Sequence, residues 1–275
     1  MKAFGLTGYP LGHSMSPVIH RELFKISGIN GEYNLFEISP ENLESEFSKL
    51  KSLSGFNVTI PHKINVIPFL DELDERAALF GAVNTVKIGE KTKGYNTDCA
   101  GFIRALQMAD IEFSGNVLLC GAGGVARMFA FEAVLADCIL TIAARDADIP
   151  AANQIKKEIK EKLNKEVMVI NLNDVNGSYN LIINGTPVGM HPNTDACVIP
   201  KEIIEKADAV FDAIYNPEET LFIKYAKNAG IKYSNGLSML VWQAVVAEEI
   251  WNDVEFSMDD VKKVIEITKG ELEKQ

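Results

Sequence analysis

The chain predicts an α/β protein of two domains, each built on a sheet with mainly parallel strands. Short apolar runs alternate with segments of helical period along most of the 275 residues. A strand, a glycine turn and a helix start follow one another in mid-chain, from Val117 to Ala126. The long segment before that turn needs a core of its own, and a 47% hydrophobic composition can supply one large core or two modest ones.

In the first part, Lys2–Thr7 reads as a strand, Ser16–Ser27 as a helix and Glu32–Ile38 as a strand. A helix near Glu41–Lys51 precedes a strand at Gly55–Thr59. Asp71–Phe80 reads as helical, and Val83–Lys87 with Lys91–Tyr95 reads as a hairpin pair. A second rhythm begins with the helix Cys99–Met108. The strand Asn116–Cys120 runs into Gly121-Ala122-Gly123-Gly124 and then an apolar helix, Val125–Leu135. Strands recur at Ile139–Ala143, Glu166–Asn171, Leu181–Asn184 and Ala209–Ile214, the rhythm of a Rossmann-like dinucleotide-binding half. Asn235-Gly236 reads as the start of a loop leading to a long helix, Ser238–Trp251. A last helix, Met258–Lys274, sets Val261, Val264, Ile265 and Ile267 on one face. The expected domains are residues 1–98, completed by C-terminal helices at 237–275, and residues 99–236.

Several function classes are disfavoured by composition. A net charge of −11 opposes non-specific binding to nucleic acid, which needs clustered Lys and Arg. The cysteines, Cys99, Cys120, Cys138 and Cys197, are widely spaced and sit mostly in apolar runs, so they read as free thiols of a reducing compartment. His13, His20, His62 and His191 lack zinc-site spacing, and no metal is expected. The N-terminus lacks the pattern of a signal peptide, and no apolar run is long enough to span a membrane. A cytoplasmic protein acting on a small molecule, without nucleic-acid or membrane partners and as a monomer or homodimer, is the expectation.

The glycine turn brings backbone close to a pyrophosphate, and the helix N-terminus behind it offers free N–H groups. Its spacing is Gly-Ala-Gly-Gly-x-Ala, with Ala126 in the place of a third glycine. Arg145, at the end of the next strand, suits a 2′-phosphate and so favours NADP, whereas Asp146 and Asp148 beside it keep NAD use open. Gly12-His13-Ser14-Met15-Ser16-Pro17 places two hydroxyls before a helix. Ser16 reads as its N-cap and Pro17 as its first residue, which leaves Ser14 for an anion or carboxylate. Lys63 lies just beyond the apolar strand in Asn57-Val58-Thr59-Ile60-Pro61-His62-Lys63, and Asp98 ends Gly94-Tyr95-Asn96-Thr97-Asp98. A lysine facing a carboxylate in a dry cleft can do acid–base work. The bland alternatives are a solvated Lys63, an Asp98 that only caps a helix, and Asn84-Thr85 as the end of a turn. Asn57, Thr59, Lys63, Asn84, Asn96 and Asp98 all fall near strand ends, where open α/β sheets bind ligands. Gln243 is the lone amide among apolar helix neighbours and reads either as a core residue or as a ligand contact.

These motifs, in this order, resemble the shikimate dehydrogenase family over nearly the whole chain. The resemblance rests on Ser14-Met15-Ser16, Asn57–Lys63, Gly81-Ala82-Val83-Asn84-Thr85, Gly94–Asp98 and Gly121–Gly124. It continues through Asn184–Met190, Asp212–Pro217 and Asn235–Gln243. It implies reversible NADPH-dependent reduction of 3-dehydroshikimate to shikimate, on the route to chorismate and aromatic amino acids. It also implies that Lys63 is the general acid–base group, that Asp98 is its partner, and that Ser14 and Ser16 hold the substrate carboxylate. Asn57, Thr59, Asn84, Asp98, Tyr215 and Gln243 would surround the ring. Gly121, Ala122, Gly123, Gly124, Val125, Arg145, Thr186, Ala213 and Gly236 would line the cofactor, with Glu75 nearby.

Three positions depart from the family pattern. Ala144-Arg145-Asp146 stands for Asn-Arg-Thr, Cys99 for a glycine after Asn-Thr-Asp, and Ala244 for a glycine after the glutamine. The first keeps the cation and loses two polar partners. Two alternatives accompany this reading: a quinate/shikimate dehydrogenase that uses NAD, and a non-catalytic NADP-binding sensor.

Overall fold

The computed structural model describes residues 1–12 and 14–274, so His13 of the Gly12–Pro17 motif lies outside the described residues. The chain divides into two compact units, Met1–Phe102 with Leu240–Gln275, and Ile103–Met239.

The first unit alternates strands and helices in the order β1 (Lys2–Gly8), α1 (Ser16–Ser27), β2 (Gly31–Glu37), α2 (Leu43–Leu50), β3 (Gly55–Val58) and α3 (His62–Asn65). It continues with β4 (Glu72–Leu73), α4 (Glu75–Phe80), β5 (Thr85–Ile88), β6 (Thr92–Tyr95) and the start of α5 (Thr97–Met108). The sheet order is β2-β1-β3-β5-β6-β4, with β1 parallel to both β2 and β3, and β5 antiparallel to its neighbours. β3 is buried along its whole length, as a central strand covered on both faces must be. The core on one side gathers Phe47, Leu50, Phe56, Val58, Val66 and Val86.

The second unit runs β7 (Asn116–Cys120), α6 (Gly124–Leu135), β8 (Ile139–Ala144), α7 (Ile149–Leu163), β9 (Met168–Asn171) and β10 (Leu181–Asn184). Then come α8 (Lys201–Ile204), β11 (Ala209–Asp212), α9 (Leu221–Asn228) and β12 (Lys232–Asn235). Every pair in its sheet is parallel, in the order β12-β11-β10-β7-β8-β9. The strand order reverses between β7 and β10, which makes that junction the topological switch point of a Rossmann-type sheet. Leu-Ile-Ile-Asn in β10 and Ala-Val-Phe-Asp in β11 are wholly buried, so the apolar runs reflect two covered faces.

The chain ends in α10 (Gly236–Asn252) and α11 (Met258–Leu272), and Leu240–Gln275 belongs to the first unit. Trp251 stacks on Phe4 with ring centroids 4.9 Å apart, and its indole N–H donates to the Val86 carbonyl at 2.9 Å. Lys87 Nζ donates to the Ile250 carbonyl at 2.6 Å. Burial of an aromatic of this size contributes about 2 kcal/mol or more, and the bonded N–H avoids a desolvation cost.

Three local expectations need correction. The helix expected over Asp71–Phe80 is only α4. Glu72 and Leu73 pair with β6 instead, and the Asp74 carboxylate accepts the Ala77 N–H at 2.8 Å, which starts the helix after it. Asn235-Gly236 is not a loop, because β12 passes directly into α10. A Cβ at Gly236 would overlap the Ala213 carbonyl, so glycine alone permits that junction. Ile267 lies on the exposed side of α11, and Thr268 takes the buried place one helical turn after Val264. Its hydroxyl is satisfied by the Val264 carbonyl at 2.7 Å.

Candidate active site

Lys63 sits on the short helix α3 rather than on a bare strand end. Three anchors hold that helix. The Thr59 carbonyl accepts the His62 N–H at 2.8 Å, the buried His62 ring meets the Ile38 carbonyl at 2.6 Å, and Val83 N–H donates to the Lys63 carbonyl at 2.7 Å. From this fixed backbone the ammonium reaches Asp98 Oδ2 at 2.6 Å. Asp98 Oδ1 accepts from Asn84 Nδ2 at 2.8 Å. Asn84 also receives the Thr97 N–H on its own Oδ1 at 2.7 Å. Thus Asn84 caps α5, and Asp98, one residue inside, is released for Lys63. The capping reading of Asp98 falls away. Side-chain exposures of 32% for Lys63 and 20% for Asp98 leave the pair reachable from solvent. A donor cation fixed beside a carboxylate, yet accessible, can pass a proton to a bound oxygen.

A buried polar chain continues behind the pair. Thr97 Oγ1 lies 3.0 Å from Thr85 Oγ1, which accepts from Asn57 Nδ2 at 2.9 Å. Asn57 Nδ2 also donates to the Asn84 carbonyl at 3.2 Å, and Asn57 Oδ1 receives the Tyr33 hydroxyl at 2.7 Å. Both amide protons of Asn57 therefore serve the fold. Burial pushes the Tyr33 phenol well above its ordinary range, Glu248 adds to that, and a hydrogen bond with Ser16 opposes it. Thr85 and Thr97 lie within the Gly81–Thr85 and Gly94–Asp98 motifs without an assigned role, and Tyr33 carries no motif signal, since nothing in a single sequence tells a strand tyrosine whose hydroxyl is enclosed from one that faces water.

The Ser14–Ser16 turn differs from its expected form. Met15 occupies the N-cap position, where its side chain does not cap the helix, and Ser16 is the first residue of α1. Ser14 Oγ accepts the Ser16 N–H at 3.3 Å, so Ser14 provides the local cap. Thr59 is half-buried beyond β3 with its N–H on the Thr7 carbonyl at 2.9 Å. Gln243, on α10, is nearly buried and donates to the Leu240 carbonyl at 2.8 Å. Glu75 is the first residue of α4. Tyr215 belongs to the second unit, beyond β11, with its ring partly exposed.

In the second unit a pocket of about 230 Å³ lies at the carboxyl ends of β7, β8, β9 and β10. Gly121, Ala122 and Gly123 form one wall, Arg145 and Asp148 another, and Leu172 with Gly185, Thr186, Pro187 and Val188 the rest. Gly121 has φ +107, a backbone open to glycine, and a Cβ there would come within 2.8 Å of the Thr186 methyl. Gly123 is the N-cap of α6 and makes no side-chain cap bond, and a Cβ at Gly123 or Gly124 would meet only open space. That cradle fits a pyrophosphate. Gly124 and Val125 follow as the first residues of α6, while Ala213 and Gly236 sit farther along, at the ends of β11 and β12. Leu172 is invisible to pattern reading because it follows a strand without any ligand-binding motif.

Arg145 does not stand free. Its Nε and Nη2 approach Asp148 Oδ2 at 2.8 and 2.7 Å, while Asp146 accepts from Asn171 Nδ2. The guanidinium is 71% exposed, so the pair is loosely held and adds little stability.

A parallel sheet with a glycine cradle at its switch point, on a chain whose other unit holds an anchored lysine–aspartate pair, defines a dinucleotide-dependent α/β enzyme. Comparison with known proteins narrows the class. The family model described as "Shikimate dehydrogenase substrate binding domain" matches residues 6–86. A shikimate dehydrogenase (NADP(+)) of Methanococcus maripaludis strain C7 is 45% identical over 272 residues, covering 96% of each chain. A crystal structure of a shikimate dehydrogenase in complex with NADP+ superposes with a TM-score of 0.88 at 42% identity, covering 97% of this chain and 95% of that one. The Thermus thermophilus shikimate 5-dehydrogenase in complex with NADP(H) and shikimate gives a TM-score of 0.87 at 29% identity, covering 98% of this chain and 100% of that one. The chain belongs to the shikimate dehydrogenase family.

Proposed function

We propose that this chain catalyses the reversible NADP-dependent interconversion of 3-dehydroshikimate and shikimate, on the route to chorismate and aromatic amino acids. The first unit takes the substrate and the second takes the cofactor. The observation that carries the reading is the 2.6 Å contact between Lys63 Nζ and Asp98 Oδ2, inside a unit whose sequence matches the family's substrate-binding model.

NADPH held in the pocket of the second unit would supply the hydride that the carbonyl carbon of the substrate takes up. Lys63 gives a proton to the carbonyl oxygen as it becomes a hydroxyl, and takes it back in the oxidative direction. Asp98 keeps the ammonium aimed, while Asn84 keeps Asp98 from rotating away. Ser14 and Ser16 hold the substrate carboxylate, and Asn57, Thr59 and Gln243 complete the ring contacts. Gly121, Ala122 and Gly123 cradle the cofactor pyrophosphate with the N-terminus of α6 behind them. Arg145 reads the 2′-phosphate.

The deciding experiment is a dehydrogenase assay that crosses shikimate and quinate with NADP+ and NAD+, using the native chain and Lys63→Ala. Shikimate with NADP+ is expected to be the best pair. Lys63→Ala should lose kcat by roughly 10²–10⁴-fold with little change in KM. Absence of turnover with all four pairs would leave a non-catalytic NADP-binding protein. Near-native kcat in Lys63→Ala would remove the lysine from the proton transfer.

A further inference from the structure

One buried carboxylate takes no part in the chemistry above. Asp212 ends β11 and is fully enclosed. It accepts from Thr220 Oγ1 at 2.6 Å, from Ile214 N–H at 3.1 Å and from Asn184 Nδ2 at 3.0 Å. Asn184 is thereby oriented: with its amide nitrogen turned to Asp212, its oxygen faces Thr186. That oxygen accepts both the Thr186 N–H at 3.0 Å and the Thr186 hydroxyl at 2.7 Å. The Thr186 oxygen in turn receives the Val188 N–H at 3.2 Å. Thr186 and Val188 are pocket walls, and the Thr186 methyl packs against Gly121 of the glycine turn.

We infer that Asp212 is a positioning residue for the cofactor, holding through Asn184 the Thr186–Val188 wall against which the dinucleotide seats. The inference rests on the cofactor reading of this pocket. The direction of every hydrogen bond in the chain follows from a carboxylate at its root. A carboxylate can only accept, so Asn184 can only donate to it, and only its oxygen remains for Thr186. A protonated or amide side chain at 212 offers a donor of its own and lets the Asn184 amide turn over. The wall then loses its single arrangement without losing its place in the fold.

Burial is what makes this root titratable near neutrality: it pushes the Asp212 carboxyl up to about 6, against the lowering effect of its three donors. The titratable groups that face it are the thiols of Cys120, on β7, and Cys197. Burial raises both, so they stay neutral over the range that matters.

The test measures NADP+ affinity of the full chain by calorimetric titration from pH 5 to pH 8, for the native protein, Asp212→Asn and Thr220→Val. At pH 8, Asp212→Asn should bind NADP+ at least about tenfold more weakly, the scale of a lost hydrogen bond to a charged group, with the KM for shikimate changed less than about twofold. The ligand's own 2′-phosphate titrates near pH 6 as well, so the informative quantity is the difference between variants. Removing the Thr220 donor should move the pH midpoint of binding upward relative to the native chain, an effect no purely structural role produces. Native affinity in Asp212→Asn, or an unmoved midpoint in Thr220→Val, would overturn the inference. If Asp212→Asn does not fold, Thr220→Val decides alone. A native chain that binds no NADP+ at pH 8 would sink the cofactor reading, and this inference with it.

Discussion

Asn84 divides its amide between two neighbours in sequence: Nδ2 donates to the Asp98 carboxylate at 2.8 Å, and Oδ1 accepts the Thr97 N–H at 2.7 Å. One side chain therefore both starts α5 and aims the partner of Lys63.

Asn84→Ala should lower kcat by about 10²-fold, because a carboxylate freed on one side no longer fixes the ammonium it pairs with. The same change strips the cap from α5 and should cost about 1–3 kcal/mol in urea unfolding. An unchanged kcat alongside that stability loss would mean that Asp98 needs no holding.

The 2.7 Å pair of Arg145 and Asp148 sets up a contrast between two variants. On the proposal that the guanidinium reads the 2′-phosphate, Arg145→Ala should weaken NADPH much more than NADH. Asp148→Asn should leave NADPH binding intact or tighten it by removing a competing anion. Equal losses for both cofactors in Arg145→Ala would show that the arginine does not read the phosphate.

Gly55 lies under the Trp251 indole so closely that a Cβ would overlap it. Gly55→Ala should therefore destabilise the first unit by about 1–3 kcal/mol, the usual scale of overpacking. Trp251 emission should shift to longer wavelength as the ring is forced toward water. Native stability would mean that α10 shifts without cost.

Asp212 also leaves a mark on stability. Its folded value, about 6, lies above its ordinary 3.8, so between those limits the native chain holds a proton that the unfolded chain has released. Stability from this group is full below about pH 4 and is lost as pH rises to about 6, by about 3 kcal/mol in all. Asp212→Asn should remove that slope, read as the difference between variant and native urea midpoints at pH 4.5 and pH 7. Parallel pH profiles would show that Asp212 ionises as it does in water. The ionised form thus costs stability while it orders the pocket wall.

Much of the site is legible in the chain as residue types, and less of it as placement. The glycine turn declares itself because β7 and α6 flank it in the right order, and the sheet puts it at the switch point. Lys63 and Asp98 can be paired from sequence only by resemblance. Their contact depends on His62, Val83 and Asn84 anchoring α3 and α5 from separate elements. Ser-Pro before a helix usually marks the serine as the cap, whereas here the helix begins one residue early and Ser14 takes the Ser16 N–H. The break at Asp74 leaves no trace in the pattern, because a two-residue strand has no periodicity to detect.

Local pattern and motifs in register suffice for the two-domain α/β plan, the parallel sheets, the dinucleotide cradle and the family. Which polar side chains meet is a matter of the folded chain alone. Folding turns Asn57 and Asn84 toward the protein interior as well as the site, ties Arg145 to Asp148, and encloses Asp212 beneath the pocket wall. Hydrogen-bond direction and burial depend on groups far apart in the chain, and no local pattern encodes them.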